Sequence, residues 1–139
     1  MARLTVDVEL LMVELLTAAL PNAEVVAKVD AGADLHTPAV VVQPVNGAMI
    51  SNGAPGLGWS WLIALSILGN GHQYTSDFAD QVYAAMHGFE DNQSVLPGVG
   101  CVTRVEDSSM PIRTATIVTA NNLTQYDGAW QITVTPVST

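Results

Sequence analysis

Three histidines, one cysteine and a few neighbouring acids are the residues of this chain whose types could do chemistry. His36, His72 and His87 fall in three different segments, with no carboxylate or cysteine at a spacing such as HxxxH or CxxC that would gather metal ligands. No metal site is expected. A nucleophile would have to be Cys101 or a serine, but no GxSxG elbow is present, and Cys101 stands in a valine-rich run that reads as core. Asp77 with Asp80 and Glu106 with Asp107 are the local acid pairs; solvated charges at a helix start and a strand end account for both. His87 reads as a cation at the C-terminal end of a helix, where the dipole favours it, and His36 and His72 read as loop residues. The stretch Asn52-Gly-Ala-Pro-Gly-Leu-Gly58 lacks the lysine of a phosphate-binding loop and precedes a strand, where such loops need a helix N-terminus. Trp59, Trp61, Trp130 and Tyr126 could build a sugar-binding platform, but the tryptophans share their strand faces with aliphatic residues, which favours core or interface packing. The expectation is a protein that is not an enzyme and has no cofactor.

The elements that must carry these residues follow from periodicity. Val8, Leu11, Met12, Leu15, Leu16 and Ala19 recur every three or four positions, which predicts an amphipathic helix over 5–20, with Asp7 and Glu9 at its positive end and Pro21-Asn22 stopping it. Strands are expected at 24–30 and 37–45, where Pro44 marks an edge or a bulge because it cannot donate to a ladder. The glycine-rich segment Asn46–Gly58 reads as a long loop or loose hairpin. A buried strand at 59–68 precedes a helix at 76–87, capped by Thr75-Ser76-Asp77 and closed by Gly88. Strands at 98–107 and 112–120, separated by Ser108–Pro111, lead to a closing strand at 126–136. In that last strand Tyr126, Gly128, Trp130, Ile132 and Val134 alternate with Asp127, Ala129, Gln131, Thr133 and Thr135, which sets one face on a core and the other toward water or a partner. The order of elements predicts an α+β fold in one domain over 1–139: a mostly antiparallel sheet with two helices packed on one face.

Composition limits the partners. Of the 139 residues 49% are hydrophobic and 12% charged, against about 25% charged in an average domain, and mean hydropathy is +0.33. A subunit this apolar is expected to oligomerise and cover part of its surface. The longest apolar run, Leu57–Leu68, falls short of the roughly 20 residues of a membrane span, and Asp7, Glu9 and Glu14 interrupt any signal-like run. No membrane association is expected, and one cysteine suits a reducing compartment. Thirteen acids against Arg3, Lys28, Arg104 and Arg113 give a net charge of −9, which argues against a surface that grips nucleic-acid phosphate.

Taken together, the amphipathic first helix, Pro38-Ala-Val-Val-Val42, Trp61-Leu-Ile-Ala-Leu65, the single Ala-rich helix followed by Gly98-Val99, and the ending Tyr126-x-x-x-Trp130-x-Ile132-x-Val134-x-Pro136 resemble the tail terminator proteins of long-tailed bacteriophages. The resemblance spans nearly the whole chain. It implies a small α+β virion subunit, assembled in the host cytoplasm, that forms a homo-hexameric ring at the head-proximal end of the tail. The ring halts growth of the tail tube and offers a surface to the head-tail connector proteins. DNA would pass through its lumen without specific binding. In that setting Met49, Ile50, Ser51, Asn52 and Leu57 are expected to contact the tail tube protein, and Arg104, Arg113, Gln131, Thr133 and Thr135 to lie at subunit interfaces. Another virion neck protein, a head-completion or connector-adaptor subunit, is the alternative within the same class, and a small oligomeric ligand-binding module using the Trp59–Trp61 region is the alternative outside it.

Overall fold

A computed structural model describes residues 6–27, 38–49, 58–117 and 123–137. The elements run α1 (Val8–Ala19), β1 (Glu24–Val26), β2 (Ala39–Met49), β3 (Trp59–Asn70), α2 (His72–Asp91), β4 (Val95–Leu96), β5 (Gly100–Ile117) and β6 (Leu123–Pro136). The strands form one sheet in the order β1-β2-β3-β6-β5-β4, in which only the β1–β2 pair is parallel. This is the expected α+β fold with a mostly antiparallel sheet.

Directly opposed residues of neighbouring strands point to the same side of a sheet, so register assigns the faces. Val42, Leu65 and Gly128 form one cross-strand row, Val40, Ile67 and Tyr126 another, and Val102 pairs with Val134 on the same side. Apart from Gly128, these residues join Leu11, Met12 and Leu16 of α1 and Phe78, Val82, Met86 and Phe89 of α2 in one hydrophobic cluster. Both helices therefore pack on that face, as the periodicity of α1 and the alternation of β6 require. The other face carries Ser60, Leu62, Ala64 and Ser66 of β3 beside Asp127, Ala129, Gln131 and Thr133 of β6, all half-buried. No described helix or strand covers it.

Several boundaries differ from the sequence reading, each for a local reason. Asp7 is the N-cap of α1, and its carboxylate accepts the Leu10 N–H at 3.1 Å. Helix α2 begins four residues before the expected 76 and ends at Asp91 rather than 87. Gly71, at φ +92°, turns the chain from β3 directly into the helix, and the Thr75 hydroxyl is not a cap but donates back to the Gly71 carbonyl at 2.6 Å. Gly88 lies inside the helix instead of closing it. The expected strands at 98–107 and 112–120 join in one strand, β5, with 118–120 outside the described residues; its register shifts at three places between Asp107 and Ala115 absorb the residues that read as a turn. Opposite that irregularity, a Cβ on Gly128 would stand 2.8 Å from the Trp130 ring and 3.3 Å from Pro111 Cα, so only glycine lets the bulged strand and the indole approach β6 so closely. Of the loop expected at 46–58, Asn46–Met49 belongs to β2 and pairs with Trp59–Leu62, with the predicted bulge falling between Pro44 and Asn46. Strand β1 covers Glu24–Val26 of the expected 24–30, of which 28–30 lie outside the described residues.

Candidate functional site

Among the described residues, a hydrogen-bonded set of polar side chains lies where α2 crosses β5. Tyr83 and His87, four residues apart, project from one stripe of α2. Both meet Asp107 of β5: the Tyr83 hydroxyl donates to Oδ2 at 2.6 Å, and His87 Nε2 lies 2.6 Å from Oδ1. The rings of Tyr83 and His87 are 4.7 Å apart, and Tyr83 also tilts against Trp130, which is fully buried. The hydrogen bonds from Tyr83 and then His87 hold the Asp107 carboxyl below the usual carboxylate range, and the bond to Asp107 raises the Tyr83 phenol above its ordinary value. The Trp130 indole N–H adds a smaller lowering effect without making a hydrogen bond of standard geometry.

A second group of contacts, further along α2, serves the first bulge of β5. Thr103 is the extra residue between Val102 and Arg104. Its hydroxyl donates to the Thr133 carbonyl at 3.2 Å and its own carbonyl accepts from Gln93 Nε2 at 3.2 Å. Glu90 Oε1 takes the Val105 N–H at 3.1 Å. Gln93 reaches Thr103 from a left-handed backbone, φ 47°, just beyond the helix. Backbone groups that a bulge leaves without ladder partners are thus satisfied by α2 and its C-terminal turn.

What these groups can do chemically is limited. Asp107 and His87 have the geometry of the orienting half of a triad, but among the described residues no hydroxyl or thiol is hydrogen-bonded to the other imidazole nitrogen. No three His, Cys, Asp or Glu side chains among the described residues are grouped to hold a metal ion. The cluster fastens α2 to the sheet.

Expected site residues fall in three places. Gln131, Thr133 and Arg104 lie together on the uncovered sheet face, because Arg104 pairs with Thr133 and Glu106 with Gln131 across β5 and β6. Gln131 Nε2 donates to Ser60 Oγ at 2.6 Å, and Thr135 stands opposite Cys101. Arg104 has a carboxylate in its own chain, Glu106 at 2.5 Å, with both side chains at least half exposed. Arg113 is on the helix side at the other end of β5, where its Nη1 lies 3.4 Å from His72 Nδ1; Tyr126 OH is 3.3 Å from the same nitrogen. Met49 ends β2 opposite Trp59, whereas Ile50, Ser51, Asn52 and Leu57 are outside the described residues, as is His36. Trp59 and Trp61 pack partly buried against the core, and the Trp61 ring lies so close to Gly47 that a Cβ there would overlap it.

Three readings of the sequence need correcting. His72 is not a loop residue but the first residue of α2. His87 does not serve as a free cation at a helix end: it is engaged by Asp107, within a helix that continues to Asp91. Cys101 is half-buried and not in the core; its thiol donates to the Gln93 carbonyl at 3.4 Å, and desolvation raises its pKa. The Tyr83–His87–Asp107 cluster was absent from the sequence reading, although the spacing of Tyr83 and His87 signals a shared helix face.

No family model matches the chain, and no curated protein matches it. Among solved structures, it is similar to a chain from one described as the virion of a native gene transfer agent particle, with 15% identity over 96% of this chain and 95% of that chain and a TM-score of 0.47. Neither the fold described above nor the reading below rests on that likeness.

Proposed function

We propose that this chain is a virion structural protein that forms a six-membered ring at the head-proximal end of a phage tail, ending tube growth and offering the head-attachment surface. The sequence resemblance supplies this reading. The observation that carries it is the uncovered sheet face, where Ser60, Leu62, Ala64, Ala129, Gln131 and Thr133 are half-buried and uncharged. Another subunit can cover such a face at the cost of re-pairing a few hydrogen bonds, with no ion desolvated along β3 from Ser60 to Ala64. The ion pair of Arg104 and Glu106 borders the patch and supplies a polar rim. Catalytic and metal groups are not needed for assembly by surface complementarity.

In this reading Met49, Ile50, Ser51, Asn52 and Leu57 contact the tail tube, Arg104, Arg113, Gln131, Thr133 and Thr135 lie at subunit contacts, and part of the net −9 per subunit lines the lumen and repels DNA phosphate. Electron microscopy of the purified protein, alone and with tail tubes, tests the assignment: six-fold rings seated at one tube end are expected, and a strictly monomeric protein that never joins tubes would defeat it. Replacing Met49 and Ile50 by serine should leave rings intact yet give tails of uncontrolled length. Changing lumen acids to lysine should slow DNA release, and unchanged ejection would remove the charge from the account.

A further inference from the structure

Three side chains that can donate hydrogen bonds meet where α2 begins, and they share a single acceptor. His72, the first residue of α2, stacks on Tyr126 of β6 with ring centroids 6.1 Å apart, and Arg113 of β5 stands opposite Tyr126 in the ladder. Arg113 Nη1 lies 3.4 Å, and the Tyr126 hydroxyl 3.3 Å, from the same His72 Nδ1. One ring nitrogen has one lone pair and cannot satisfy both, and both distances are at the long end of the hydrogen-bonding range. Tyr126 is only 9% exposed, and its hydroxyl has no other partner among the described residues. Arg113 is exposed, and among the described residues it forms no ion pair, in a chain with thirteen acids to four bases. Arg104, the other described cation of this kind, has Glu106.

The backbone adds donors at the same place. Helix α1 is capped by Asp7, whereas α2 starts from Gly71 with no side-chain cap and no acid in its first turn. The amides of His72, Gln73 and Tyr74 therefore stand at the positive end of a 20-residue helix without a side-chain acceptor, beside the Arg113 guanidinium. The nearest acids are engaged or turned away. Asp77, more than a turn further along α2, accepts from Gln73 Nε2 at 3.0 Å, and Asp80 is three residues beyond it. Asp127 accepts from Gln125 Nε2 at 3.0 Å and belongs to the opposite face of β6 from Tyr126. An oxyanion seated here would accept from the guanidinium fork, the phenol and the helix amides, leaving His72 Nδ1 to a single donor.

We propose that Arg113, Tyr126, His72 and the first turn of α2 form an oxyanion site that takes a carboxylate or phosphate group. The site does not depend on the ring reading. The test follows the imidazole resonances of the full chain by nuclear magnetic resonance as sodium phosphate is added at constant pH, with sodium chloride at equal ionic strength as control. His72 should shift saturably while His87, held by Asp107, does not. Arg113→Gln, at an exposed position, should abolish the shift with the circular dichroism unchanged, and Arg113→Lys, which keeps the charge but loses the fork, should weaken binding several-fold. No shift at His72, the same shift with chloride, or an equal phosphate shift in Arg113→Gln would overturn the proposal. Light scattering then distinguishes the source of the anion. If it is an acidic side chain of a second copy, phosphate and Arg113→Gln should each weaken self-association several-fold; if it is a free anion, neither changes the size of the protein in solution while the His72 shift remains.

Discussion

Leu65 and Leu62 lie on the same central strand three residues apart, one on each face of the sheet, and truncating each to alanine measures how unequal those faces are. Leu65 is fully buried, between Val42 on β2 and Gly128 on β6. Leu→Ala at a buried site costs about 2–5 kcal/mol, the larger values applying where surrounding groups cannot collapse into the hole. Here collapse is restricted, since Gly128 has no side chain to offer, Val42 is β-branched and stiff, and the Trp130 ring is already pressed onto Gly128. We therefore expect about 3–4 kcal/mol for Leu65→Ala, a large share of the roughly 5–15 kcal/mol that holds a domain folded. With a urea m-value of about 2 kcal/mol/M, the midpoint should fall by about 1.5–2 M. Leu62 is half-buried between Asn46 and Gln131 on the uncovered face, so Leu62→Ala should cost under about 1 kcal/mol in the isolated protomer. Urea unfolding followed by far-ultraviolet circular dichroism at two protein concentrations is the assay. A Leu62→Ala effect that grows with concentration would report burial of this face in an assembly. Equal midpoint shifts for the two variants under dilute conditions would refute the assignment of one core face.

The Asp107 carboxyl, held below its ordinary range by Tyr83 and His87, contributes stability that is present above the usual carboxylate pKa and lost as pH falls through the lower folded value. Asp107→Asn should therefore lower the melting temperature at neutral pH and narrow the gap to the unsubstituted protein as the solution is acidified; a gap constant down to strong acid would refute it. The Tyr83 phenol is raised, so its contribution is intact below the ordinary tyrosine pKa and is lost as pH climbs through the higher folded value. Absorbance at 295 nm should show one late-ionising tyrosine, absent from Tyr83→Phe. Gly128→Ala places a methyl 2.8 Å from the Trp130 ring and should destabilise by about 1–3 kcal/mol with altered tryptophan emission, whereas a neutral result would mean that β5 and β6 can part there at no cost. Gly88→Ala, meeting no atom within 4 Å, should stabilise the fold against unfolding by about 0.5–1 kcal/mol, and a loss would show that the helix interior is not free there.

Periodicity made α1 and β6 legible because in each a single burial direction repeats along the whole element, and the buried residues Leu11, Met12 and Leu16 or Trp130, Ile132 and Val134 are those the pattern selects. It failed at β5 because Ser108-Ser109-Met110-Pro111 has the composition of a turn. The chain keeps the strand going by spending the extra residues in bulges, a solution that depends on Gly128 across the ladder and on Glu90 and Gln93 from α2. The start of α2 failed for a similar reason. Thr75-Ser76-Asp77 has the residue types of an N-cap, but Gly71 had already set the backbone turn, leaving Thr75 to bond inward. The Tyr83–His87–Asp107 cluster was illegible because its two halves come from elements 20 or more residues apart, brought together only by the packing of α2 on β5.

That packing bears on assembly. Strands β2 and β5 flank the central pair, and the short β1 and β4 pair only with Ala39–Val41 and Gly100–Cys101. Among the described residues, no strand lies along the remaining outer edges of β2 and β5. Unprotected edges of this length invite indefinite strand pairing. Each of these carries a proline beside a register shift, Pro44 on β2 and Pro111 on β5, which withholds a ladder donor and bends the strand. Near its N-terminal end the edge of β5 is also occupied by Ser94, Gln93 and Glu90, which take up the groups of Val102, Thr103 and Val105. Edges built this way disfavour open-ended strand pairing and leave association to side-chain surfaces. The irregularity that blunts the β5 edge also leaves Met110 and Ile112 exposed on either side of Pro111.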